Sequence, residues 1–137
     1  MKEIKIGQEG SAGLTVEYKD TAAALGEGLP EVFGTPYLVN LMEFAGIDAM
    51  KDFMEEGEGS VGAAISISHT AASPIGSHIK ATAKVKEVKG KLIKFDVEAY
   101  DDEGLIGKGE HTRAVIKRGK FAEAVEEKKG RIQIEQA

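Results

Sequence analysis

The 137-residue chain has no cysteine and no tryptophan. Without cysteine there is no disulfide framework, no thiolate metal site and no cysteine nucleophile, and the chain suits a reducing compartment. Its opening residues, MKEIKIGQEG, lack the apolar core of a signal peptide, so a cytoplasmic location is expected. No run approaches the roughly 18 apolar residues of a membrane span. The net charge is −5 and no basic stripe is interleaved with aromatics, which argues against nucleic-acid binding. Also missing are metal-ligand spacing, a phosphate-cradling glycine loop with its lysine, and a dinucleotide fingerprint.

What is present is globular: 42% hydrophobic and 30% charged residues, with 17 glycines. One domain spanning residues 1–137 is expected, with a charged helical tail over 121–137. Its organising stretch is Leu29 to Met54, the longest with helical periodicity. Thr35-Pro36 reads as a hydroxyl N-cap followed by proline at the first helical position, and Glu55-Glu56-Gly57 as the stop. Leu38, Val39, Met42, Ala45, Ala49, Met50 and Phe53 form a broad apolar face. Leu41 and Phe44 carry it most of the way round, as on a buried helix.

Around this helix the chain reads as strands. Ser11–Lys19 alternates weakly, and Asp20–Gly28 reads as a mobile connection. After the helix, Val61–Thr70 puts Val61, Ala63, Ile65, Ile67 and His69 on one face. His78–Val88 and Leu92–Tyr100 each alternate apolar with charged residues, the pattern of a strand with one wet face. Leu105–Lys117 is a long last strand, Phe121–Lys129 a charged helix, and Gly130–Ala137 a frayed end. One helix against an antiparallel sheet is an α+β arrangement. A single small sheet cannot cover so apolar a helix, so a homodimer joined through sheet edges is expected.

Three residues invite chemistry, and each has a plainer reading beside it. Glu43 has no cation within helical reach; it is either functional or reaches water or a capping N–H. His69 shares the apolar face of its strand, as a satisfied core histidine or as an acid–base group beside the small residues Thr70 to Pro74. Thr35 is a helix cap, or a hydroxyl at the positive end of a helix, where an oxyanion would be stabilised. Gly62 serves a turn or lets a ligand approach the backbone. His78 reads as exposed and His111, in phase with Arg113, as structural.

Three motifs carry a resemblance: PEVFGTPYLVNLMEFAG at Pro30–Gly46, GEGSVGAAISISHTAA at Gly57–Ala72 and GKGEHTRAVI at Gly107–Ile116. With these the chain resembles the hotdog-fold acyl-CoA thioesterases, most closely the fluoroacetyl-CoA-specific group. The resemblance implies an antiparallel sheet wrapped around a long central helix, a homodimer, and an acyl-CoA substrate with no metal or redox cofactor. It implies a catalytic set of Thr35, Glu43 and His69. His69 would act as general base and then acid, and either Thr35 or Glu43 would attack the thioester or orient water. It puts acyl-CoA contacts on Gly62 and Arg113, the latter holding a phosphate. Leu29 stands where the fluoroacetyl enzymes have a phenylalanine in the lid over the acyl group, which implies a different acyl preference. The rival readings are an acyl-CoA-binding module without turnover and an enoyl-CoA hydratase.

Overall fold

The computed structural model describes residues 1–136, with side chains to Gln133. The first strand, β1 (Glu9–Thr15), is followed by two short 3-10 turns, Tyr18–Asp20 and Ala22–Ala24. Helix α1 spans Thr35–Met50 and runs on into a further 3-10 turn, Lys51–Phe53. Strands β2 (Glu58–His69), β3 (His78–Lys89), β4 (Leu92–Asp101) and β5 (Gly104–Lys117) follow, then helix α2 (Arg118–Gln136). The strands form one antiparallel sheet in the order β1-β3-β4-β5-β2. Thus β1 and β2 are its edges.

The wet-face strands fold as their alternation dictates. Ile79, Ala81, Ala83 and Val85 of β3, and Ile93, Phe95, Val97 and Ala99 of β4, are all buried against α1. From α1 come Leu38, Leu41, Met42, Ala45, Ala49 and Met50. Phe44 stays about half exposed, at 51%. At Gly10, where β1 crosses α1, an added Cβ would lie 2.2 Å from the Ala49 backbone nitrogen, so only glycine lets strand and helix approach.

Four expectations need correction. Asp20–Gly28 is not a loose connection: Thr21 is fully buried, forms an isolated antiparallel bridge with Phe33 and donates its hydroxyl to the Tyr18 carbonyl at 2.7 Å. The helix cap is Gly34, not Thr35; Gly34 has extended geometry (φ −80°, ψ 140°) and its carbonyl accepts from Tyr37 and Leu38. Thr35 is already helical, and Pro36 follows it in the first turn, where its missing N–H leaves no bond unmade. The last helix starts earlier and runs through Gly130 to Gln136 rather than fraying there; Ala137 lies outside the described residues.

The fourth correction moves a face. The pairing of β2 with β5 slips by one residue between Gly62 and Ala64. Gly62 lies opposite Arg113, whereas Ile65 lies opposite His111 and His69 opposite Gly107. Ser60 and Gly62 therefore share the inward face with Ile65, Ile67 and His69, and Val61 and Ala63 do not. A bulge of this kind re-aims the residues beyond it.

Gly10→Ala is expected to destabilise the fold by about 1–3 kcal/mol, the usual cost of overpacking, because the obstructing atoms are backbone. Thermal unfolding checks this; an unchanged midpoint would mean that β1 does not dock on α1 this closely.

Candidate active site

Thr35 and His69 meet at the mouth of the fold. Gly34 turns the chain into α1 and is itself held by its N–H on the Asp20 carbonyl, 2.9 Å away. Just before it, Phe33 is buried, with its N–H on the Ser73 carbonyl at 2.8 Å. His69 ends β2, and its Nδ1 lies 2.8 Å from Thr35 Oγ1. The Phe33 ring stands edge-on to the imidazole, centroids 6.4 Å apart and planes at 75°. Ala22, Val32, Phe33, Gly34, Thr35, His69, Thr70, Ala71 and Ala72 line a cleft of about 290 Å³. The small residues after His69 thus form a wall, as the sequence suggested.

The electrostatics suit a base. Burial pulls His69 below the ordinary imidazole value of 6.5, and the Ala71 backbone opposes this only in part. At neutral pH the ring is uncharged, so Nδ1 can accept the Thr35 proton while Nε2 carries the other hydrogen. Nε2 is buried and, among the described residues, has no hydrogen-bond partner. Thr35 sits in the first turn of α1, where helix N–H groups favour developing negative charge.

Glu43 is elsewhere. Its Oε1 lies 3.3 Å from Arg113 Nη1, a cation 70 residues along the chain and invisible to helical spacing. Arg113 is almost completely buried, its side chain 5% exposed against 34% for Glu43. Burial pulls the guanidinium down from its ordinary value and Glu43 resists that shift. Its Nε donates to Ser60 Oγ at 2.9 Å and its Nη2 to the Ser60 carbonyl at 3.2 Å. Nη1 also faces His111 Nε2 at 3.2 Å. Four of the five guanidinium N–H groups are therefore committed, so the planar fork expected to grip a phosphate is not free. An added Cβ on Gly62 would come 2.5 Å from Glu43 Oε1: the glycine makes room for the carboxylate.

Within one chain the structure joins Thr35 to His69, and Glu43 to Gly62 and Arg113, but not the two groups to each other. Leu29 is 50% exposed and outside the lining of the cleft. His78 is exposed as expected and pairs with Asp102 at 2.8 Å. Sequence reasoning missed the parts played by Ser60 and His111; the one available signal was that His111 and Arg113 share a face of β5. A larger groove of about 560 Å³ lies on the outer face of the sheet, lined by Ser66, Ser68, Asp96, Glu98, Lys108 and Glu110 among others. It has serine hydroxyls but no imidazole, so it lacks the means to activate them.

A long central helix in a curled antiparallel sheet is the hotdog arrangement of the thioesterase superfamily. The comparisons narrow it. The family model of the fluoroacetyl-CoA-specific thioesterase matches residues 16–119. A fluoroacetyl-CoA thioesterase of Streptantibioticus cattleyicolor is 46% identical over 99 residues, 72% of this chain and 71% of that one. A crystal structure of a phenylalanine-to-alanine mutant of the fluoroacetyl-CoA-specific thioesterase superposes with a TM-score of 0.87 at 36% identity, covering 93% of this chain and 99% of that one. A thioesterase superfamily member from Thermus thermophilus gives 0.91 at 28% identity, covering 98% and 99%. The chain belongs to the fluoroacetyl-CoA-specific thioesterase family.

The His69 ring should titrate with a midpoint below 6.5, followed by its imidazole proton resonances in NMR. A midpoint above that value would show a charge partner stronger than burial and would remove the argument for a neutral base.

Proposed function

We propose that this chain hydrolyses an acyl-CoA thioester to a free acid and coenzyme A. The observation that carries the reading is the 2.8 Å contact between Thr35 Oγ1 and His69 Nδ1 in a cleft beside a helix start. His69 Nδ1 takes the Thr35 proton as Oγ1 attacks the thioester carbonyl, and the oxyanion forms against N–H groups at the start of α1. The C–S bond breaks, and His69 returns the proton to the departing thiolate. Water, deprotonated by the same imidazole, then attacks the acyl carbon of the Thr35 ester; the Oγ1–acyl bond breaks, His69 returns the proton to Oγ1, and the acyl group leaves as a carboxylic acid. Thr35 is favoured over Glu43 as nucleophile because it has the base beside it, whereas Glu43 is held in an ion pair. Hydroxyl, imidazole and carboxylate need no metal or redox cofactor for this, since coenzyme A arrives with the substrate.

The active unit in this reading is a homodimer through β2. This edge strand runs SVGAAISIS from Ser60 to Ser68 with no charge and no proline, so nothing in it blocks pairing with a second edge. Phe44 and Ile47 of α1 are exposed beside Glu43 and Arg113. Gly62 and His69 are about 20 Å apart along β2 at roughly 3.3 Å per residue. An antiparallel self-pairing of β2 centred between Ile65 and Ser66 sets His69 of each protomer opposite the other's Gly62, which backs onto Glu43. Glu43 of the partner subunit would then accept from Nε2 of His69, the atom with no partner among the described residues of its own chain. That completes a Thr-His-Glu set in which the carboxylate orients the imidazole.

His69→Ala should lower turnover about 10²–10⁴-fold, the range for lost general acid–base catalysis, in a folded protein. Glu43→Gln should lower it as well. Mixing the two inactive variants under conditions that exchange subunits should restore activity, because each mixed dimer keeps one intact site. A folded His69→Ala protein of full activity defeats the mechanism; failure of mixed dimers to recover, with exchange verified, defeats the shared site.

Leu29 is proposed to set the acyl preference, since leucine lacks the flat face of an aromatic ring. The native protein should then discriminate weakly between fluoroacetyl-CoA and acetyl-CoA. A strong native preference for the fluorinated substrate, in competing hydrolysis, would remove Leu29 from specificity.

A further inference from the structure

His111 is a buried histidine that the hydrolytic mechanism does not use. It is 1% exposed, on the inward face of β5. Its Nδ1 lies 2.8 Å from the Ala64 carbonyl, which is an acceptor only, so Nδ1 carries the hydrogen. Its Nε2 lies 3.2 Å from Arg113 Nη1, which is a donor only, so Nε2 must be bare. One tautomer satisfies both contacts, and that tautomer is neutral. Nη1 has two hydrogens and two acceptors: His111 Nε2 at 3.2 Å and Glu43 Oε1 at 3.3 Å.

The surroundings fix the ring in place. Phe95 of β4 stacks on it, centroids 6.3 Å apart and planes at 24°. On α1, an added Cβ at Gly46 would lie 3.4 Å from His111 Cδ2, and on β2 one at Gly62 would lie 3.6 Å from its Cε1. Glycine at both places therefore leaves the imidazole close against helix and strand. The Ala64 carbonyl comes from the irregular stretch of β2, where the register slips. The charged groups facing the ring are Arg113 on β5 and Glu43 on α1; β4 contributes Phe95, and β2 contributes the Ala64 carbonyl.

We propose that His111 is a positioning residue of this enzyme: as the neutral Nδ1–H tautomer it accepts from Arg113 and thereby fixes the hydrogen that Arg113 turns to Glu43. The proposal rests on the thioesterase reading, in which Glu43 orients the catalytic imidazole. A second proton on His111 would set N–H against N–H at the Arg113 contact, turn Nη1 away, and release the Glu43 carboxylate. Burial and the Arg113 cation both oppose that proton, with the Ala64 carbonyl and Glu43 favouring it, and the balance holds His111 below the ordinary imidazole value. Activity would thus require both His69 and His111 to be unprotonated, and acidification would shut it off through two groups.

Two variants separate positioning from packing. In His111→Leu the bulk stays and the acceptor goes: kcat should fall about 10- to 10²-fold, as for a misplaced catalytic group, with KM little changed. In His111→Gln the side-chain oxygen replaces Nε2 as acceptor and cannot titrate, so most of kcat should return. The acid limb of log kcat against pH should then change from a two-proton to a one-proton slope. In a Glu43→Gln background, His111→Leu should cost little more, since the group it serves is already disabled. A folded His111→Leu enzyme with native kcat, or a glutamine variant whose acid limb keeps the two-proton slope, overturns the proposal. The Glu43 carboxyl carbon resonance tests it without substrate. In the native protein it should report two titrations, of His111 and of the partner subunit's His69, and in His111→Gln one should vanish while the other remains; two titrations in the glutamine variant count against the proposal. A native protein that cleaves no thioester would instead remove the thioesterase reading, leaving the resonance to report on His111 alone.

Discussion

One extra residue in β2 sets the phase of the whole site. Without the slip between Gly62 and Ala64, a strand that turns Ser60 and Gly62 inward would turn Ile65, Ile67 and His69 outward, since successive side chains alternate. With it, the first half of β2 offers Ser60 and an empty glycine position to Arg113 and Glu43. The second half offers apolar side chains to the core and delivers His69 to Thr35. The irregularity also leaves the Ala64 carbonyl for His111. Two polar clusters about 20 Å apart along one strand therefore depend on one backbone irregularity.

The carboxylate cluster shows why such an arrangement must be complete. Removing one member of a buried ion pair leaves an uncompensated charge, a cost of about 3–5 kcal/mol, whereas a satisfied pair contributes little by itself. Arg113 is the member most deeply withdrawn from water, and its acceptors come from three elements: Ser60 on β2, Glu43 on α1 and His111 on its own strand. The network specifies how α1 sits against β2 and β5 more than it adds to stability. Glu43 itself keeps a third of its side-chain surface and borders a shallow pocket on the flank of α1. Phe44 and Ile47 lie on that flank.

Much of this was legible in the sequence and some was not, for identifiable reasons. β3 and β4 alternate strictly, so the residues assigned inward are the buried ones. The Thr-Pro signal placed the start of α1 to within a residue; the error was that Gly34, anchored by the Asp20 carbonyl, takes the cap and leaves the Thr35 hydroxyl for His69. Period-two reading put His69 on the right face by the wrong route, with Val61 and Ala63 as companions, because a bulge has no periodicity of its own. Glu43 lacked a cation only within its helix; Arg113 is supplied by the sheet, a contact at long sequence separation that local spacing cannot contain. His111 was read as inert since nothing in a strand pattern distinguishes a histidine that packs from one that donates on one side and accepts on the other.

The division of the two clusters also bears on the edge at β2. A long uncharged strand edge normally invites aggregation, and proteins blunt such edges with lysine, proline or a covering element. β3, buried within the sheet, carries lysines on its outer face, while β2 at the edge carries none between Ser60 and Ser68. The proposed dimer accounts for this pattern, since its pairing edge is the uncharged one. The same strand has at one end a histidine nitrogen with no partner among the described residues and at the other a partly exposed carboxylate. In the proposed dimer a second copy would answer both needs at once, because antiparallel pairing reverses one strand against the other and would bring opposite ends of β2 together.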